Sequence, residues 1–151
     1  MPDRVDDLIT ELRARGGRVT GARRGVLAAL VSAHGHLTAE DLAAQVQAAQ
    51  PDVHLSTIYR SLDALEQLGL VDHVHLGHGR AVYHLTDDPH QHLVCEECGV
   101  VIEVPDSTFG ELSEELMSEY GFALRPNHFA VLGRCAACGP SGSGGLSPSG
   151  R

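Results

Sequence analysis

Cys95-Glu96-Glu97-Cys98 and Cys135-Ala136-Ala137-Cys138 place two thiol pairs 36 residues apart, and six of the ten histidines (His73, His75, His78, His84, His90, His92) crowd into residues 71–95. A Cys-x-x-Cys turn offers two thiolates to one tetrahedral ion. The two pairs together make a four-sulfur site of the closed, structural zinc type, with no open position for a substrate. A redox pair or unliganded thiols are the competing readings. On an extended strand alternate side chains share a face about 7 Å apart, which pairs His73 with His75 and His90 with His92 as chelates. Isolated histidines such as His34 and His54 read as polar surface residues. Imidazole suits zinc, nickel, copper and iron alike, so geometry and ligand count must choose the ion.

No arrangement for catalysis stands beside these ligands. Zinc deaminases need His-x-Glu near Pro-Cys-x-x-Cys, metalloproteases need His-Glu-x-x-His, and neither occurs. Every cysteine is better used in a knuckle than as a nucleophile. The expectation is a protein that is not an enzyme and takes no small organic substrate.

The net charge of -9 is unevenly spread: residues 1–60 hold seven Arg against seven acids, and residues 61–151 hold four Arg against thirteen. Arg13, Arg15, Arg18, Arg23 and Arg24 form a run without an acid, a positive stripe suited to an anion such as DNA. Asp3, Asp6, Asp7 and Glu11 exclude an apolar leader in the opening stretch, and no later run approaches membrane-spanning length. A cytoplasmic protein that does not engage membranes is expected. In a reducing compartment the paired cysteines favour metal thiolates.

The elements that must position these residues follow from periodicity. Val5, Leu8, Ile9 and Leu12 mark a first helix stopped at Gly16-Gly17. Thr20 caps a second helix carrying Val26, Leu27 and Leu30, which breaks near His34-Gly35-His36. Thr38-Ala39-Glu40-Asp41 resembles a capping box for a third, ended by Pro51. Ser56 is the N-cap candidate of a fourth, with Ile58, Leu62 and Leu65 inward, Tyr59, Arg60 and Asp63 outward, and Gly69 as the stop. Leu70–Leu76 and Ala81–Leu85 then flank Gly77-His78-Gly79 as a hairpin. Helices followed by a hairpin describe a winged helix-turn-helix, and the segment Ser56-Thr57-Ile58-Tyr59-Arg60 opens the helix that enters a major groove. Thr86-Asp87-Asp88-Pro89 reads as a hinge. Beyond it come strands at Leu93-Val94 and Val100–Val104, a helix with Phe109, Leu112, Leu116 and Tyr120 on one face closed by Gly121, and a strand at Phe129–Gly133. The fold class is therefore α+β, with a winged-helix domain over residues 1–87, a small α/β domain over 88–138, and a disordered Gly/Ser/Pro tail over 139–151. A unit of about 50 residues needs a metal staple or oligomerisation.

HLSTIYRSLDALEQLGLV, the later YHL, HQHLVCEECG and the closing GRCAACG resemble, in that order, the ferric uptake regulator family of metal-dependent repressors over residues 10–139. RVTGARR matches the family's N-terminal segment, with Gly21-Ala22 where the family carries Pro-Gln, which adds Arg18, Thr20 and Arg23 to the expected DNA contacts. The resemblance implies a homodimer whose C-terminal domain dimerises, and an interdomain regulatory site at His36, His84, His90 and His92, with Glu103 at a further acidic ligand position. His84 stands where many relatives have an acid, which argues against the aspartate-based peroxide-sensing branch. A second family site maps onto Pro89, Gln91 and Gly110 and is expected to be absent. VDHVHLGHG and RPNHFAVLGRC resemble instead the nickel uptake regulator branch, implying a nickel site at His73, His75 and His128.

These expectations combine into a repressor with metal as co-repressor: ligands from both halves are satisfied together only in a closed form, so metal shifts the population toward it. Closed dimers would present two Tyr59/Arg60 helices to an inverted-repeat operator. A zinc- or iron-responsive repressor of the same family, a metal storage or delivery protein, and a repressor indifferent to metal are the alternatives.

Overall fold

Val5, Leu8, Ile9 and Leu12 are the residues that helix α1 (Arg4–Ala14) buries, with Asp3 capping it by accepting from the Val5 N–H. The computed structural model describes residues 3–33, 36–76, 81–87, 89–125 and 128–139. Two compact units divide these residues. The first runs to Val74 and resumes from Ala81 to Asp87; the second holds His75, Leu76 and everything described from Pro89 onward.

In the first unit, α2 (Gly21–Ala33) begins where Thr20 Oγ1 accepts the Arg23 N–H at 3.1 Å, and α3 (Ala39–Ala49) where Thr38 Oγ1 accepts that of Asp41 at 3.1 Å. Each side chain satisfies an amide that has no partner inside its helix. Helix α4 (Leu55–Gln67) departs from expectation at its start. His54 is the N-cap and its carbonyl already accepts from Thr57 and Ile58, so Ser56 lies inside the first turn and caps nothing. Its end is as expected: Gly69, at φ +74°, donates to Glu66 and Leu70 donates to Leu65, a paired closure that a left-handed glycine permits.

Strands β2 (Val71–His75) and β3 (Ala81–Leu85) form the expected wing, and a two-residue strand that the sequence did not announce, β1 (Leu37–Thr38), completes a sheet of order β1-β3-β2. Leu37 pairs with Tyr83 and Thr38 with Val82. One continuous core unites α1 to α4 with this sheet, including Leu12, Val26, Leu27, Leu42, Ile58, Leu62 and Leu65 at 0 % exposure. Gly17 sits against that core. A Cβ there would meet Leu12 Cδ1, come within 2.6 Å of Leu68 Cδ1 and within 3.0 Å of the Leu12 carbonyl oxygen. Gly17→Ala should cost about 1–3 kcal/mol, since backbone cannot yield as a side-chain tip can. A drop in thermal midpoint with unchanged zinc content would register it.

The second unit is a sheet of order β5-β4-β6, with β4 (His90–Cys95) central, β5 (Val101–Pro105) antiparallel to it and β6 (Ala130–Gly133) parallel. A 3₁₀ turn (Asp106–Phe109) leads into α5 (Gly110–Tyr120), which Gly121 closes at φ +61°. This helix carries the expected apolar positions but buries none of its residues: Leu112, Met117 and Tyr120 are exposed, as is Phe122. Val94 and Cys95 are the buried apolar residues of the second unit among those described, where the first unit has twenty-one. The wing turn Gly77-His78-Gly79, the break at His34-Gly35, hinge residue Asp88 and the tail from residue 140 lie outside the described residues. Among the described residues no helix is long and apolar enough to cross a membrane.

Candidate functional site

Helix α4 turns Ile58, Leu62 and Leu65 into the core, which leaves Ser56, Tyr59 and Arg60 exposed and Thr57 half-buried at its N-terminal end. Arg60 Nε reaches back to the Ser56 carbonyl at 3.4 Å, and the Tyr59 hydroxyl donates to Glu40 Oε1 at 3.3 Å. Glu40, read from sequence only as part of the α3 capping segment, is a partner of Tyr59 that no local pattern announces. Arg18 and Thr20 precede α2. Arg23 donates to the Arg18 carbonyl at 2.8 Å, while Thr20 is occupied as a cap. The run of five arginines is not one uniform surface. Arg24 pairs with Asp6 at 2.6 Å and Arg15 with Glu11 at 2.7 Å, so acids outside the run neutralise two of the five.

On the wing, His73 and His75 do not share one environment. His75 is exposed, whereas His73 is half-buried, with Nδ1 in a short contact with Glu66 Oε1 and its ring 5.7 Å from that of Tyr83. Burial, and then the charge of Glu66, push the Tyr83 phenol up to about 12. His36 and His84, also of the first unit, hold their rings 5.3 Å apart edge to face, and His84 Nδ1 lies 3.2 Å from the Leu85 carbonyl.

In the second unit the four cysteine sulfurs lie within 4.8 Å of one another. The Cys98–Cys135 separation is 3.7 Å, against an edge of about 3.8 Å for a tetrahedron of sulfurs about 2.3 Å from zinc. Each knuckle is a tight turn: Gly99 donates to the Cys95 carbonyl at 2.9 Å and Gly139 to that of Cys135 at 3.0 Å, both glycines at positive φ. The β4–β6 pairing brings Cys95 opposite Gly133 and so unites knuckles distant in sequence. Backbone amides of Cys98 and Cys135 donate to the Cys95 sulfur and hold its thiol down to about 6, while hydrogen bonding with Cys135 and Cys98 pushes the Cys138 thiol up to about 12. Four sulfurs this close therefore share protons rather than all ionise, unless a cation compensates them. The donor set fits zinc.

A second gathering lies on β4 and β5. His90 and His92 alternate along β4 with ring centroids 4.7 Å apart, His92 is opposite Glu103 in register and fully buried, and His90 Nε2 is 3.8 Å from Glu103 Oε1. One donor atom from each of His90, His92 and Glu103 falls within 4.8 Å of the others. His128 is half-buried just ahead of β6, its amide donating to the Arg125 carbonyl.

The profile of the ferric uptake regulator family matches residues 14–131. The chain belongs to the ferric uptake regulator family. It is 29% identical over 143 residues to the ferric uptake regulation protein of Bacillus subtilis, covering 91% of this chain and 96% of that one. It is 25% identical to the peroxide-responsive repressor PerR of Staphylococcus saprophyticus, covering 89% and 90%. The structure of the ferric uptake regulator from Pseudomonas aeruginosa with manganese superimposes with a TM-score of 0.69 at 36% identity, covering 84% of this chain and 96% of that one. The fold is accordingly the family's α+β architecture of a winged helix and a small α/β domain. As a member of the family the chain is a metal-responsive transcriptional repressor.

Gln91, one of the positions onto which the family resemblance maps an absent second metal site, is 1 % exposed and donates through Nε2 to Asp106 Oδ1 at 2.6 Å. This amide hydrogen bond joins β4 to the 3₁₀ turn.

Proposed function

We propose that this ferric uptake regulator family member is a nickel-responsive repressor, and that metal acts as co-repressor for binding an inverted-repeat operator. The observation that carries the reading is its preponderance of imidazole: His90 and His92 converge on β4, and the wing strand adds His73 and His75. Nitrogen-rich sets favour nickel, zinc and copper over manganese. In this reading His36, His84, His90 and His92, with Glu103, hold a regulatory ion, and His73, His75 and His128 hold a second, nickel-selective one. Cys95, Cys98, Cys135 and Cys138 hold structural zinc.

Ser56, Thr57, Tyr59 and Arg60 read base edges, and Arg18, Thr20 and Arg23 contact the backbone. The exposed apolar side chains Ile102, Leu112, Met117, Val131 and Leu132 of the second unit support a homodimer. In this reading residues 1–87 read DNA and residues 88–138 dimerise and bind metal, ahead of a tail over 139–151. The protein works in the cytoplasm.

A second reading has a specific observation behind it. Glu103 places a carboxylate beside His90 and His92, and carboxylates suit iron and manganese. A mobility-shift titration on the promoter of a metal transporter separates the two, with chelator, nickel, zinc, iron and manganese in separate lanes. Nickel at micromolar concentration should yield a specific shift that chelator abolishes and iron does not restore. Operator binding that survives chelator would overturn the co-repressor reading, and a shift driven best by iron or manganese would assign the second.

A further inference from the structure

We infer that Glu66 is a positioning residue for the wing ligand His73, and that it links this ligand directly to the helix that reads DNA. The inference rests on the proposed reading of His73 as a nickel ligand. Glu66 lies in the last turn of α4 and His73 in the middle of β2. Their side chains meet through Glu66 Oε1 and His73 Nδ1, with each side chain about three-quarters buried, at 24% and 25% exposure.

The contact is not there for the helix. The C-terminal turn of a helix carries the negative end of its dipole, where a carboxylate is unfavourable, so Glu66 occupies a position that local energetics oppose. Its carboxylate accepts a proton-bearing Nδ1, and a hydrogen bond to a charged acceptor is among the stronger ones. Committing Nδ1 to the carboxylate fixes the ring's tautomer and rotation. Any metal that His73 ligates must then be bound through Nε2, whose basicity the carboxylate increases. This is the way an outer carboxylate orders a metal-binding imidazole. The Tyr83 ring, 5.7 Å from that of His73, borders the same place.

The consequence extends along α4. Tyr59 and Arg60 stand near one end of the helix and Glu66 at the other, all on a single rigid element of 13 residues. An ion on His73 therefore pulls on the same rod that carries the base-reading side chains.

The test uses the full-length, zinc-loaded protein. Nickel chloride is titrated in competition with a chromophoric chelator for wild type, His73→Ala, Glu66→Ala, Glu66→Gln and the His73→Ala/Glu66→Ala double variant. ¹⁵N shifts of the histidine rings are recorded before nickel is added. Wild-type His73 should be the Nδ1–H tautomer. Glu66→Ala should lose that tautomer and weaken nickel binding about 10–100-fold, and Glu66→Gln, which retains an acceptor, should keep the tautomer and lose only a few-fold. The double variant should bind nickel no more weakly than His73→Ala alone.

If Glu66→Ala only lowers the melting temperature, with tautomer and nickel affinity intact, the contact is a structural staple and the inference fails while the nickel reading stands. If His73→Ala itself leaves nickel affinity unchanged, the reading of the wing as a metal site fails and the inference falls with it. Glu66→Gln keeps the question decidable should Glu66→Ala not fold.

Discussion

Cys98→Ser, or prolonged treatment of the protein with a strong zinc chelator, should unfold the second unit while leaving the first largely intact. The asymmetry follows from where apolar surface is buried. Helices α1 to α4 and the wing share one core, whereas the second unit buries Val94 and Cys95 and leaves every residue of α5 at least partly exposed. A sheet of three short strands with so little covered surface cannot offset its chain entropy. Binding of a structural zinc, on the order of 10–16 kcal/mol in small zinc domains, would supply what that core lacks. Circular dichroism should retain the helical signal of the first unit, and amide spectra should lose the dispersed resonances of β4, β5 and β6. A metal-free protein that keeps those resonances would show that the four sulfurs are not a folding site.

His92→Ala should uncouple DNA binding from metal without removing zinc. His92 is fully buried on the central strand, with Glu103 on one side in register, Ala130 on the other and the His90 ring beside it. Its truncation removes an imidazole from a converged set of donors, at a buried position that surface water does not refill. An effector shifts an equilibrium only by its differential affinity, and such couplings are typically about 5–150-fold. Operator affinity at saturating nickel should therefore fall by a factor in that range, toward the value of the metal-depleted wild type. The measurement is fluorescence anisotropy of labelled operator at fixed salt, with zinc content verified at one ion per chain. Affinity equal to that of the metal-loaded wild type would remove His92 from the regulatory set. The prediction belongs to the proposed function, and it is independent of the wing.

Much of this molecule was legible before its structure, because its signals are local. Helix α1 announced itself through Val5, Leu8, Ile9 and Leu12, Thr20 and Thr38 through their capping hydroxyls, Gly69 through the conformation that only it adopts without strain. The two knuckles were legible because Cys-x-x-Cys is a complete turn with its ligands included.

What escaped was non-local or too short to carry a period. Strand β1 is only Leu37 and Thr38, and it exists because β3 offers Tyr83 and Val82 as partners. Ser56 is a good N-cap type, yet α4 starts two residues earlier, at His54, whose carbonyl accepts the first bonds of the helix and whose side chain caps nothing. The parallel pairing of β4 with β6 joins residues nearly forty positions apart, and nothing in either segment names the other. Glu66 and Glu40 look in sequence like ordinary solvated acids. Only the folded chain shows that each is applied to a side chain of consequence, His73 and Tyr59. The arginine run was legible as charge, but the pairing of Arg15 and Arg24 with helix α1 acids was not.

The scarcity of buried apolar surface in the second unit has a corollary for the living cell. On the proposed reading, a half-molecule that must acquire an ion and a mate before it is sound would fold at a rate set by copy number as well as by sequence. Freshly made chains at low abundance would linger as targets for proteases, so the amount of repressor in a cell should fall away more steeply than its rate of synthesis when expression is throttled.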